Sequence, residues 1–240
     1  MNALEVKNLT KSFGSFTLRD VTFTLPMGSA LGLVGENGAG KSTTISLLLN
    51  LLPRDGGEVK TLDCDCTDSD FTARKEDIGV VFDEACFPES ITAEQVDKIE
   101  RNIYKNWNSE AYFAHLKRYE LPRNLAFKQF SRGMKMKLSL AVALSHRAKL
   151  LLLDEATGGL DPIARDELLD ELKDFIADGQ HAILLSSHIV SDIEKLCDSV
   201  AFLHCGTLKF CEKREALLAA HPGKSIEEII LGIAREERGR

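Results

Sequence analysis

Residues 35–43 read Gly-Glu-Asn-Gly-Ala-Gly-Lys-Ser-Thr and directly follow the apolar run Ala30–Val34. The spacing G-x-x-x-x-G-K-S, placed between such a run and a helix-forming stretch, demands one local geometry. A buried strand must enter a tight glycine-rich turn and leave it as a helix. Glycines let the backbone curl until successive N–H groups face inward. The helix that starts near Lys41 then aims its partial positive end at the same point. The pattern predicts a polyphosphate cradle made of Gly35, Glu36, Asn37, Gly38, Ala39, Gly40, Lys41, Ser42 and Thr43. In such a cradle Lys41 reaches the β- and γ-phosphates and Ser42 offers a hydroxyl to Mg²⁺. Taken alone the motif specifies a nucleoside triphosphate, and a GTPase or a small kinase would carry it too.

The remaining hydrophobic pattern supplies a sheet for that strand. Leu4, Val6 and Leu9, then Leu18, Val21, Phe23 and Leu25, predict antiparallel strands at the start of the chain. Pro53 and Gly56-Gly57 break the helix that follows the cradle. Buried strands are expected at 78–82, 150–153, 182–185 and 200–203, with a helix at 163–177. Between them the pattern turns helical, with helices expected at 93–104, 109–119 and 133–145. Ile226, Ile229, Ile230 and Ile233 predict a docked helix over 225–240. Alternating strands and helices imply a mainly parallel sheet covered on both faces. The expected fold class is therefore α/β, with an N-terminal antiparallel β subdomain and an inserted α-helical subdomain. Its core comprises residues 1–83 and 148–240, and the insertion comprises 84–147.

Composition narrows the function. The 240 residues are 44% hydrophobic, enough for a sizeable core, and carry a net charge of −7. That balance argues against nucleic acid as a partner. No apolar stretch reaches the roughly 18–20 residues needed to cross a bilayer. The opening MNALEVKNLT lacks the basic-then-apolar plan of a signal peptide. A cytoplasmic location is expected, with any membrane contact made through a partner. The six cysteines, Cys64, Cys66, Cys86, Cys197, Cys205 and Cys211, show no zinc-finger spacing and read as reduced thiols.

A second polar constellation ends the strand at 150–153, where Asp154-Glu155 follows four leucines. Charges at the carboxyl end of a parallel strand lie where ligands bind in this fold class. Asp154 is a candidate Mg²⁺ ligand, and Glu155 a candidate general base for an attacking water.

These motifs, with three further segments in the same order, resemble the nucleotide-binding domain of ABC ATPases over essentially the whole chain. Phe130-Ser131-Arg132-Gly133-Met134-Lys135 is similar to the family's signature, usually LSGGQ; Ser131 and Gly133 match, while Arg132 replaces the first glycine. The S-[KR]-G-M form resembles that of ABC-2-like exporter ATPases. Thr157-Gly158-Gly159-Leu160-Asp161-Pro162 resembles the D-loop, and Ser187-His188 matches the switch histidine. Phe13 occupies the place of an adenine-stacking aromatic. The clearest departure is Asp83, followed by Glu84, where the family carries the Q-loop glutamine. Asp83 is a candidate water-mediated Mg²⁺ ligand.

The resemblance implies a P-loop NTPase of RecA-like fold that hydrolyses ATP with Mg²⁺. It implies Ser131 and Gly133 gripping ATP on a second ABC ATPase subunit, in a homodimer or heterodimer, with Asp161 at the interface. It implies catalytic roles for Glu155 and His188. A separate transmembrane permease is the implied partner, which would hold the chain on the inner face of the membrane. Export is the implied direction. The alternative is a soluble ABC ATPase that remodels a non-membrane partner. The guanine-reading N-K-x-D motif is absent, which separates the chain from GTPases.

Overall fold

The computed structural model describes residues 1–83 and 87–238, so Glu84 and Cys86 lie outside the described residues. The chain opens with β1 (Asn2–Phe13) and β2 (Phe16–Pro26), paired antiparallel with Leu4 opposite Leu25 and Phe13 opposite Phe16. β3 (Ala30–Val34) follows, buried at every residue, and α1 (Lys41–Leu48) leaves the glycine-rich turn behind it. β4 (Gly56–Thr61) pairs antiparallel with the far side of β1, and β5 (Cys64–Asp65) extends that edge. A short α2 (Phe71–Arg74) leads into β6 (Ile78–Val81).

Helices α3 (Ala93–Ile103), α4 (Ser109–Arg118) and α5 (Arg132–Leu144) come next. Side chains start each of them. Thr92 and Gln95 form a reciprocal capping box, and Asn108 and Ser131 accept backbone N–H groups from their first turns. The chain then alternates through β7 (Leu150–Asp154), α6 (Pro162–Ile176), β8 (Ala182–Ser187), α7 (Val190–Leu196) and β9 (Ser199–His204). It closes with β10 (Thr207–Lys213), α8 (Arg214–Ala220) and α9 (Ile226–Arg238).

The strands form one ten-stranded sheet in the order β5-β4-β1-β2-β10-β9-β3-β8-β7-β6. From β9 to β6 all neighbours run parallel, with β3 central between β8 and β9. β10 turns back antiparallel to β9 and touches β2 at Thr207 and Arg19, joining the two halves. Because side chains alternate across a strand, each parallel strand feeds two cores. Leu150, Leu152, Leu184 and Leu203 pack toward Ile45 and Leu48 of α1. Leu151, Leu153, Ile183 and Phe202 pack on the other face with Leu168, Leu172, Ile193 and Ile229. Burial of each such leucine contributes roughly 1.5–3 kcal/mol, which explains the unbroken apolar runs.

The helical stretch between β6 and β7 has its own apolar cluster, including Val96, Tyr112, Leu116, Phe127 and Leu138. α5 ties it to the sheet. Leu138 and Ala141 point into the helical cluster, whereas Met136, Leu140 and Ala143 join the sheet core. The contact with β6 is tight at Gly79, where a Cβ would fall 2.6 Å from Leu151 Cδ2 and 2.9 Å from the Ala143 carbonyl oxygen.

The expected α/β class with an antiparallel β start is the observed one. Several elements went unread for physical reasons. Gly56-Gly57 signals a break, yet the same residues begin β4. β10 is half-buried along most of its length and shows no sharp alternation. α7 and α8 are too short for a helical period to declare itself.

Candidate active site

The turn after β3 has the backbone geometry that its glycines allow. Gly38 and Gly40 adopt φ of 81° and 110°, a region closed to most side chains. Ala39 N–H donates to the Glu36 carbonyl at 3.1 Å, closing the turn. α1 then begins with no side-chain cap and no acidic residue in its first turn. Its leading N–H groups meet no competing acceptor from that source, which suits an anion. Gly35 backs onto β9, where a Cβ would fall 2.4 Å from the Leu203 carbonyl oxygen. Ala39 is also buried behind the turn.

Lys41 is 6% exposed. Its Nζ donates to the Gly35 carbonyl at 2.7 Å and lies 3.4 Å from that of Glu36. The same ammonium ion-pairs with Glu155 Oε1 at 3.1 Å. On its other side, Glu155 Oε2 accepts from His188 Nδ1 at 2.6 Å. A carboxylate only accepts, so the imidazole hydrogen sits on Nδ1. Glu155 holds φ at 52°, unusual for a non-glycine residue, and its backbone N–H donates to the Ser186 carbonyl. Residues from the start of α1 and from just after β7 and β8 thus form one continuous line, Lys41–Glu155–His188. Beneath it, buried Asp154 accepts from the Ser186 hydroxyl at 2.5 Å.

A cleft of about 600 Å³ opens over this line. Glu36, Asn37, Gly38 and Gly40 form its floor with Lys41, Ser42 and Thr43, and Glu155 and Asp83 form one wall. Phe13 stands at the rim, 40% exposed, with Lys11 Nζ 5.5 Å from its ring centroid. Phe16 lines the cleft as well. It escaped the sequence reading because it lies within a strand pattern; only its nearness to Phe13 across the hairpin could have marked it. His188 and Asp154 do not line the cleft.

The remaining site residues lie elsewhere. Ser131, Gly133 and Asp161 line a separate cleft of about 410 Å³, together with Arg132, Lys137 and Gly159. Ser131 Oγ accepts from Met134 N–H at 3.2 Å and caps α5. Asp161 Oδ1 accepts from Ile163 and Ala164 N–H, both at 3.1 Å, and caps α6 ahead of Pro162. Those N–H bonds, that of Ala164 first, hold the Asp161 carboxyl below the usual carboxylate range. The two clefts meet at one ion pair, Arg132 with Asp83.

Ser42 in the cleft floor and buried Asp154 at the end of β7 offer hydroxyl and carboxylate oxygens, donor types that suit Mg²⁺. Asp83 adds a third oxygen donor, already engaged by Arg132. Among the described residues no helix is long and apolar enough to cross a membrane.

Comparison with known proteins gives a consistent answer. A family model described as "ABC transporter" matches residues 18–158. The lantibiotic transport ATP-binding protein SrtF of Streptococcus pyogenes is 34% identical over 208 residues, covering 85% of this chain and 88% of its own. The Nod factor export ATP-binding protein I of Bradyrhizobium diazoefficiens is 34% identical over 237 residues, covering 96% of this chain and 76% of its own. A solved ATP-binding subunit of an ABC transporter matches with a TM-score of 0.87 at 28% identity, over 96% of this chain and 98% of that one.

Proposed function

The chain belongs to the ABC transporter family, and from that premise we propose that it binds and hydrolyses ATP to drive a separate membrane permease in an export system. The observation that carries this reading is the line Lys41–Glu155–His188 under an uncapped helix N-terminus. In this reading one carboxylate, Glu155, is the base for water, held between the cation for the phosphates, Lys41, and the orienting imidazole of His188. The naming of similar proteins for lantibiotic transport and Nod factor export supports export and favours a permease over a soluble partner.

In this reading the turn N–H groups and Lys41 hold the β- and γ-phosphates. Phe13 stacks on adenine through its exposed face. Ser42 and Asp154 hold Mg²⁺, with Asp83 nearby. Mg²⁺ supplies charge neutralisation at the phosphates. Glu155 takes the proton of the attacking water as its oxygen bonds to the γ-phosphorus. The bond from that phosphorus to the bridging oxygen breaks, and ADP leaves with the electron pair. His188 steers Glu155 by donating to it. Ser131 and Gly133 lie in a different cleft and act on ATP held by a second ABC ATPase subunit, with Asp161 shaping the interface. Residues 84–147 form the helical insertion on a core of 1–83 and 148–240. The complex sits on the inner face of the membrane through its permease.

Glu155→Gln tests the assignment. The variant should bind ATP with near-parent affinity and hydrolyse it about 10²–10⁴-fold more slowly, the usual contribution of a general base. With Mg²⁺ and ATP it should accumulate as a dimer on size-exclusion chromatography. Turnover at the parent rate would remove Glu155 as the base.

A further inference from the structure

Asp83 and Arg132 are each a departure from the family's pattern, a carboxylate for glutamine and a guanidinium for glycine. They stand 49 residues apart in sequence, and Arg132 Nη2 donates to Asp83 Oδ1. Asp83 belongs to the nucleotide cleft and Arg132 to the signature cleft. The arginine reaches across the loop after β7. A Cβ on Gly159 would fall 3.1 Å from Arg132 Cδ and 3.4 Å from its Cγ, and Gly159 holds φ at +80°. Glycine at 159 therefore clears the arginine's path.

Charge favours the pairing of Asp83 with Arg132. The nucleotide cleft already holds Glu155, with Asp154 beneath it, and must accept a highly anionic triphosphate. An unpaired Asp83 on its wall would repel that ligand. Arginine stays protonated at every relevant pH and cancels that charge permanently. The pair Asp83–Arg132 carries no net charge, and neither does the glutamine–glycine pair it replaces.

We propose that Asp83 and Arg132 form a single charge-paired clasp, in which Arg132 is a positioning residue that offsets Asp83 in the phosphate cleft and ties the start of α5 to it. This rests on the nucleotide reading of the cleft. Both partners are substantially exposed, at 63% for Arg132 and 44% for Asp83, so the effect is screened by salt.

The test is a double-mutant cycle on Mg²⁺–ATP affinity, run at low and high salt with the parent, Arg132→Gln, Asp83→Asn and the double variant. Glutamine keeps the helix propensity at the start of α5. Arg132→Gln should weaken ATP binding about three- to tenfold at low salt, and less at high salt. Whatever Asp83→Asn does alone, the cost of Arg132→Gln should shrink to within about twofold when it is made in the Asp83→Asn background, and Arg132→Lys should retain most of the affinity. A merely structural role for Arg132 predicts the same cost in both backgrounds, and that additive result overturns the clasp. A parent that binds no ATP removes the cleft reading and the clasp together; a parent that binds, with an additive cycle, removes the clasp alone.

Discussion

The two clefts both sit at helix N-termini and treat those ends in opposite ways. α1 starts with no side-chain cap and no acidic residue in its first turn. α5 and α6 start with Ser131 and Asp161 folded onto their own backbone N–H groups. An uncapped end leaves strong donors for a ligand. A capped end has spent them on holding the helix in place. The first cleft is thus built to take an anion by itself. The second is built to present a fixed shape, with the Ser131 hydroxyl proton still able to donate outward.

The largest effect should come from breaking the first cleft. Lys41→Ala removes a charge-assisted donor to the phosphates, at a cost of roughly 1.5–3 kcal/mol in affinity, or about ten- to 150-fold. An unchanged ATP titration would refute the cradle. Ser131→Ala probes the second cleft and should divide binding from turnover. ATP affinity of the single chain should stay within about twofold, while hydrolysis falls and α5 loses about 1 kcal/mol of capping. Equal losses in both measurements would erase the distinction between the clefts.

Asp161→Ala should lower the melting temperature by a few degrees at neutral pH. The Asp161 carboxyl is depressed in the folded protein, so its contribution is fully present above the unfolded value of about 3.9 and fades as pH falls through the folded one. Parent and variant should therefore converge in strong acid.

The smallest effect concerns His146, just beyond the far end of α5. Its Nδ1 lies 3.1 Å from the Glu76 carbonyl oxygen, its ring stacks on Tyr104 at 4.0 Å, and its buried Nε2 has no hydrogen-bond partner among the described residues. Burial lowers its pKa. The unfolded chain then binds the proton more readily, so this contribution to stability is present above about pH 6.5 and is lost as pH falls below it. His146→Gln should flatten that part of the melting-temperature profile measured from pH 7 to 5.

The difference between the clefts also decided what the sequence could reveal. The residue types of 35–43 are dictated by their own local geometry, so they can be read without knowing the fold. Glu155 is legible because a strand end locates it. Its partnership with both Lys41 and His188 is not, since it depends on which strands lie side by side. Asp83 and Arg132 each read as an isolated substitution, because nothing local links the end of β6 to the start of α5. The separation of Ser131 from the cradle is implied by the family resemblance, and the two distinct clefts give it a structural form. Elements such as β10 and α7 were missed because their pattern is too short or too evenly half-buried to show a period.

The contact at Gly79 leaves no cushion between α5 and β6. The strand that leads to Asp83 and the helix that begins at Arg132 mesh like gear teeth, with the Ala143 carbonyl against bare backbone. A single methyl at position 79 would act as a shim. The helix would have to slide or lift as a unit, and the guanidinium at its other end would travel with it.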